Sequence, residues 1–157
     1  MRSLPRRLAL CLALALALAP LLLVRAGEAA KLKTEYFKGN VVPLAEAIKK
    51  YGVKLDKEAA ESLVLVNEDG KIYTLLKDDG SRMFFKDAKL LKRPMRLTAR
   101  QIPGSNLLQV INVHSYLKGD LHEVYYWCDV CSIKRYEKNA CDCCGGPMVL
   151  REVPASE

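Results

Sequence analysis

The chain contains only two histidines and one tryptophan, and it has no cysteine between Cys11 and Cys128. No cysteine pair continues into Cys-x-x-Cys-His, so covalent haem attachment is not indicated. Three of the four methionines, Met83, Met95 and Met148, are too scattered to form a copper–thioether site. Long repeats, low-complexity tracts and charged tails are absent after residue 30, and no enzyme signature is present. The sequence therefore names no catalytic activity.

Five cysteines lie within the seventeen positions from Cys128 to Cys144. Cys128, Cys131, Cys141 and Cys144 follow the spacing C-x2-C-x9-C-x2-C, and Gly145 comes next. Each C-x2-C predicts a tight knuckle that directs two thiolates at one point, and a glycine lets the backbone turn back. Two facing knuckles make the tetrahedral sulfur site that zinc prefers. The motif resembles a zinc ribbon, so we expect one structural zinc per chain.

Cys143 is left over from this set, and it is the candidate for a reactive thiol. Without Cys11 the chain keeps five cysteines, an odd number that a complete disulfide framework would not use up. Disulfides nevertheless stay an alternative to zinc, because an oxidising compartment favours them. A redox or copper-handling thiol site is the third interpretation.

Residues 1–30 have the pattern of a signal peptide. Arg2, Arg6 and Arg7 precede an alanine- and leucine-rich run from Leu8 to Val24, and small residues suited to cleavage follow it. We therefore expect an exported protein, periplasmic or secreted. The alternative is an uncleaved leader that anchors the chain in the membrane, and a twin-arginine signal is a minor option.

Net charge says little about partners. Removal of residues 1–30, which hold four arginines and one glutamate, lowers the formal net charge from +7 to +4. A mildly basic exported chain is a poor candidate for binding nucleic acid. Lys134, Arg135 and Lys138 lie between the knuckles, where we expect them to moderate the negative charge of the thiolates.

Turn and cap signals predict short elements. Pro43 and Gly52 bracket one helix, and Asp56 caps a second that ends near Ser62. Asp-Gly at 69–70 predicts a hairpin, and Pro103-Gly104 predicts a type II turn between two further strands. The predicted strands are 63–66, 71–76, 95–102, 107–116 and 121–127, with a short apolar run at 83–85 and a brief helix at 88–92.

These elements predict a mainly β (α+β) fold. We expect short N-terminal helices and a small OB-like β-barrel over 31–127, a zinc-ribbon-like knuckle pair over 128–150, and a tail at 151–157. Residues 31–40 would be a linker. The order of the predicted elements resembles that of the OB-fold, which places a helix between its third and fourth strands. The resemblance is one of topology. The rival is an open antiparallel sheet covered by the two helices.

The block from Tyr125 to Arg135 and on through Cys141–Pro147 resembles that of uncharacterised exported bacterial proteins. The resemblance extends back to 67–70 and to Phe84-Phe85. It implies a class of exported protein and no assigned activity.

Three further groups have both a functional and a plain structural interpretation. His114 and His122 flank the turn at 118–120, and they share a face of the hairpin only if the loop has three residues. The aromatic run 125–127 has two interpretations. It is a stacking platform for bases or sugars, or its side chains fill the core and cover the knuckles. Asp78-Asp79 before Gly80 is typical of a turn.

The sequence thus favours an exported, non-catalytic binding or assembly module with an unknown protein or envelope partner. The alternative is a thiol-redox or metal-transfer protein that uses Cys143. A nucleic-acid-binding protein is a weaker alternative. The membrane is a partner only if the leader stays uncleaved.

Overall fold

A computed structural model describes residues 32–155, and these form one compact unit. The predicted signal peptide, with Cys11, lies outside the described residues. Within 32–155 no helix has the length and apolar character needed to span a membrane. The strands are β1 Thr34–Pro43, β2 Leu63–Val66, β3 Ile72–Leu75, β4 Pro94–Gln101, β5 Leu107–Leu117, β6 Asp120–Cys128, β7 Ile133–Arg135 and β8 Val149–Pro154. The α-helices are α1 Leu44–Ala47, α2 Lys57–Ala60 and α3 Arg82–Lys86, with 3₁₀ turns at Lys49–Tyr51 and Ala88–Leu90.

Local signals located most of these elements. The Asp56 carboxylate accepts a hydrogen bond from the Ala59 amide at 2.9 Å and caps α2 as predicted. Gly52 ends the first helical segment in the left-handed conformation. The run around Phe84, however, forms α3, because it faces the core with Met83 rather than alternating between two sides.

The first five strands close into a ring, and the fold is mainly β as expected. β1 pairs with both β2 and β4, β2 pairs with β3, and β4 pairs with β5, all antiparallel. The parallel register of Thr74 with Leu107 and of Leu75 with Leu108 joins β3 to β5 and completes the ring. The rival prediction of an open sheet is therefore wrong. The ring is not a regular barrel.

Strand β1 replaces the predicted linker at 31–40. Its first seven residues pair with β4, and its last four, from Asn40, pair with β2. Only Phe37 and Val41 of this strand are buried, so the apolar alternation is weak in the sequence. Strand β1 forms because both of its edges pair with strands that are distant in the sequence, and local propensity does not predict this pairing.

Gly39 lies where β1 passes from one partner strand to the other. A Cβ at this position would lie 2.2 Å from the carbonyl oxygen of Val66. The close approach of the two backbones therefore requires glycine.

Strand β6 carries the ring into a second, smaller sheet. Its first four residues pair with β5 and its last three with β7, while six of its residues, 122–127, pair with β8. Residues 149–154 thus form a strand, and the prediction of a tail from 151 is wrong for 151–154. None of their side chains is buried, so only the pairing with β6 reveals the strand.

The core fills the ring and continues under β6. Its members come from both halves of the chain, with Tyr126 the largest fully buried side chain. The Tyr126 hydroxyl donates to the Asp87 carboxylate at 2.9 Å, which ties β6 to the helical link between β3 and β4. The fully enclosed members include Val41, Leu65, Met83, Phe84, Leu90, Met95, Leu97, Leu108, Val113 and Val124.

We expect Gly39→Ala to lower the free energy of unfolding by about 2–3 kcal/mol, because the new methyl group forces two paired backbones apart. Gly119→Ala is the matched control. Its glycine has a φ of +95° but open space around the Cβ position, so only backbone strain of about 1 kcal/mol applies. Urea denaturation measures both, and equal losses in the two variants would contradict the close approach.

Candidate metal centre

The first knuckle is the turn that joins β6 to β7. Cys128 ends β6, and Cys131 lies in the turn with its amide 3.5 Å from the Cys128 sulfur. The Ser132 amide donates to the Cys128 carbonyl at 2.8 Å, which closes the turn. Ser132 has a φ of +53°, a left-handed conformation that costs energy in any residue with a side chain.

The second knuckle repeats this geometry around Cys141 and Cys144. The Gly145 amide donates to the Cys141 carbonyl at 2.8 Å, just as Ser132 does in the first knuckle. Here the left-handed position, with a φ of +70°, holds a glycine. The Cys141 amide in turn donates to the Gly146 carbonyl at 2.8 Å, and a bridge between Ala140 and Pro147 closes the base.

The two knuckles bring four sulfur atoms together. The Sγ atoms of Cys128, Cys131, Cys141 and Cys144 all lie within 4.8 Å of one another, and those of Cys128 and Cys144 are 3.6 Å apart. A disulfide would need about 2.0 Å, so the four are free thiols and not two bridges. Soft sulfur donors at these separations fit a metal ion. The four predicted ligands are therefore brought together in a cluster that is compatible with a metal site.

The site lies at the end of the core and opens to solvent on one side. Cys128 and Cys141 are buried, Cys131 is half-buried and Cys144 is exposed. A metal ion can therefore reach the site from the side of Cys144 without rearrangement of the core.

The thiols differ in their readiness to ionise. The backbone amides of Cys144 and Cys143 direct N–H groups at the Cys141 sulfur and lower the pKa of that thiol to about 7. Hydrogen bonding to the thiols of Cys143 and Cys144 raises the pKa of Cys131 above its usual range. Because a metal needs thiolates, Cys141 is the natural first ligand, and metal binding has to displace a proton from Cys131.

Each knuckle carries an aspartate directly after its first cysteine, and each aspartate pairs with an arginine from a neighbouring strand. Asp142 lies 3.3 Å from Arg135 of β7, and Asp129 contacts Arg151 of β8. These exposed pairs contribute little stability by themselves, but they hold each knuckle against its strand. The sequence motif alone did not reveal them.

The basic residues between the knuckles contact carboxylates rather than sulfur. Lys134 pairs with Glu123, Arg135 pairs with Asp142, and Lys138 lies 3.5 Å from Asp87. The expectation that they mainly moderate the thiolates is not supported by these contacts.

Cys143 is exposed and lies outside the quartet, as its prediction as a spare thiol requires. It remains close enough to Cys131 to raise the pKa of that thiol. Its placement follows from the x2 spacer, which directs the sulfurs of Cys141 and Cys144 to one point and the intervening side chain elsewhere.

The two histidines do not form a site together. Leu117 pairs with Asp120, so the hairpin loop has two residues, and Ser115 pairs with His122. His114 therefore faces the opposite side from His122. His114 is buried, while the Nδ1 atom of His122 lies 3.0 Å from the carbonyl oxygen of Asp120.

The aromatic run divides between core and surface. Tyr126 is buried, whereas Tyr125 and Trp127 are half-buried on the other face of β6, with ring centroids 6.3 Å apart and an edge-to-face angle of 71°. Lys134 lies over Tyr125 at 4.5 Å and Arg151 over Trp127 at 5.8 Å. Cationic side chains thus already cover much of the predicted stacking platform.

Asp78 and Asp79 occupy a turn, as predicted. The amides of Ser81 and Arg82 both donate to the Asp78 carbonyl, and Asp79 pairs with Arg82 at 2.6 Å.

Neither a family model, nor a curated protein, nor a solved structure matches this chain. The function of the site has to be argued from its own geometry.

The repeated knuckle geometry predicts opposite effects for a matched pair of substitutions. Ser132→Gly should raise the free energy of unfolding by up to about 1 kcal/mol, because it relieves a left-handed conformation. Gly145→Ala should lower it by a similar amount at the equivalent position. Urea denaturation followed by the fluorescence of Trp127, the only tryptophan and the neighbour of Cys128, measures both. Effects of the same sign would contradict the equivalence.

Proposed function

We propose that this chain is an exported, non-catalytic binding or assembly module whose C-terminal sheet is stapled by one structural zinc ion. The convergence of four cysteine sulfurs within 4.8 Å is the observation that carries the proposal. The partner we propose is a protein or another component of the cell envelope.

Zinc suits the donor set better than other metals. Four thiolates favour a tetrahedral ion that needs no redox chemistry, and Zn–S bonds of about 2.3 Å place sulfurs about 3.8 Å apart. The 3.6 Å between Cys128 and Cys144 is close to that value. Four protein ligands leave no open coordination position, so the ion would supply stability and not an activated water.

Few contacts besides a bound metal ion would hold the second knuckle in place, which is why we propose that the ion stabilises it. Between β7 and β8 the described chain forms no helix or strand, and apart from the Ala140–Pro147 bridge its contacts with the rest of the fold are made by side chains such as Lys138. Glu137 pairs with Arg82 at 3.1 Å and with Lys86 on α3, and these contacts are partly exposed. A bound ion would hold the return of the chain from β7 to β8, and hence the pairing of β8 with β6.

We also propose that the ring is an OB-like barrel. It has five strands, and α3 with the following 3₁₀ turn lies between β3 and β4, where the OB-fold places its helix. OB-folds bind ligands on strand faces and in the loops between strands, which agrees with a binding role.

A zinc determination on the purified protein tests the staple. We expect one zinc per chain, loss of the metal in Cys128→Ser and in Cys144→Ser, and loosening of residues 128–150 in amide exchange. Cys143→Ser is the matched control, because Cys143 lies beside the same ligands but outside the quartet. It should leave the zinc content and the melting temperature nearly unchanged.

Two outcomes of that experiment would overturn parts of the proposal. Metal-free protein with two intact disulfides and normal stability would exclude the zinc staple. Loss of metal in Cys143→Ser would show that the ligand assignment within 141–144 is mistaken.

The exposure of Cys143, a free thiol beside the four candidate ligands, favours a second candidate function, thiol exchange or metal transfer. An alkylating reagent should label Cys143 before the four metal-bound thiolates, which the ion shields. If Cys143→Ser keeps the zinc but abolishes disulfide exchange or copper transfer in vitro, this second function replaces the first.

Export is tested by the N-terminus of the protein isolated from the cell envelope or medium. Small residues at Ala26 and Ala29 predict a mature chain that begins between Gly27 and Lys31. N-terminal sequencing that finds Met1 on membrane-bound protein would instead favour an uncleaved anchor.

A further inference from the structure

A cleft of about 970 Å³ lies on the outer face of β4 and β5, away from the cysteines. Arg96 of β4 and His114 of β5 are register partners in its floor. The start of β6 and the residues Pro154 and Ala155 at the end of β8 form a wall. The volume is in the range of sites that bind small molecules.

Two buried polar atoms on side chains that line this cleft have no hydrogen-bond partner among residues 32–155. They are the Nε atom of Arg96 and the Nδ1 atom of His114, and His114 is only 9% exposed. Buried polar groups are nearly always paired, so two such atoms on adjacent strands give the floor of this cleft polar groups that the fold itself does not satisfy.

The charge of Arg96 is also unmatched. Arg96 forms no ion pair within the part of the chain that the structure describes, and its guanidinium lies over the ring of Tyr36 at 4.7 Å. Stacking of this kind orients the planar fork that recognises carboxylate and phosphate groups. Glu123, the β6 residue opposite His114, is already occupied by Lys134 and by the Tyr136 hydroxyl.

The remaining lining residues provide a partly aromatic surface. Tyr36 is 67% exposed, and Tyr116 is half-buried on the same face of the sheet as His114. The Asn112 side-chain oxygen accepts from the Val113 amide at 2.8 Å, which leaves its amino group as a donor. Among the described residues that line the cleft, Asp120 is the one carboxylate, and it is exposed.

We propose that this cleft binds an organic anion, in which a carboxylate or phosphate group contacts Arg96 and His114 while an aromatic body lies against Tyr36 and Tyr116. The inference rests on the proposed binding role and gives it a ligand class, and its proposed contact residues lie outside the cysteine-containing segment 128–150.

Titration of the ¹⁵N-labelled full-length protein with phenyl phosphate and with benzoate tests the site, and NMR shifts provide the readout. We expect saturable shifts at Tyr36, Arg96 and His114 with at least one of the two probes, and none with neutral benzamide. The probe that binds distinguishes phosphate from carboxylate.

Variants identify the contact. Arg96→Gln should weaken binding about tenfold or more, because it removes a charge-assisted hydrogen bond. Arg100→Gln is the matched control, since Arg100 lies on the same strand, is exposed and lines a different cleft. Asp120→Asn should tighten binding about twofold, because it removes a like charge at the rim. This last effect does not depend on whether Arg96→Gln folds normally.

Several results would overturn the proposal. These are the absence of saturable shifts with both anions, equal binding of benzamide, or binding that survives Arg96→Gln in a folded protein. Inorganic phosphate that binds as tightly as phenyl phosphate would exclude the role of the aromatic rings. The zinc content of each sample, measured in parallel, separates these results from a failure of the staple.

Discussion

The Asp87 carboxylate holds together the strand ring and the smaller C-terminal sheet. It is 4% exposed, accepts hydrogen bonds from the Lys89 amide and the Tyr126 hydroxyl, and lies 3.5 Å from Lys138. One buried group thus joins the link between β3 and β4, the strand β6 and the loop between the knuckles. Burial alone would raise the pKa of Asp87, but these three partners outweigh it and lower the pKa below its usual value. The carboxylate therefore stabilises the fold at neutral pH, and that contribution is lost as the pH falls through the lowered pKa.

Strand β6 carries this connection to the cysteines. Val124, Tyr126 and Cys128 face inward along it, so the last buried side chain of the strand is already a thiol of the candidate metal site. The site is therefore an extension of the core and not a separate appendage. A zinc ion there would stabilise the small sheet, where hydrophobic burial is sparse, while the ring has a core of its own. The floor of the cleft at Arg96 belongs to the ring, while the end of β8 contributes one wall, so the two proposed sites meet through the small sheet.

Prediction from sequence worked where a short motif dictates local geometry. The cysteine quartet follows from the x2 spacing, the α2 cap from Asp56, and the hairpin from Asp69-Gly70, because each needs only neighbouring residues. It failed for β1 and β8, whose side chains show little apolar alternation. Strand β1 is held by pairing with β2 and β4, and strand β8 is held by pairing with β6. These partner strands lie too far away in the sequence for a local pattern to reveal them. The apolar run at 83–85 could not be assigned from sequence for a related reason, since short apolar runs do not distinguish a strand from a buried helical turn.

The amino-acid sequence by itself determined the mainly β character, the four thiols of the candidate site and the separation of Cys143 from them. These are properties of spacing and composition, and they hold however the distant parts of the chain are arranged. Only the tertiary structure decided that β3 and β5 close a ring, that His114 and His122 face opposite sides, and that Arg96 and His114 share a cleft with unmatched polar atoms. Each of these depends on strand register and on burial, and both are set by contacts between residues far apart in the chain.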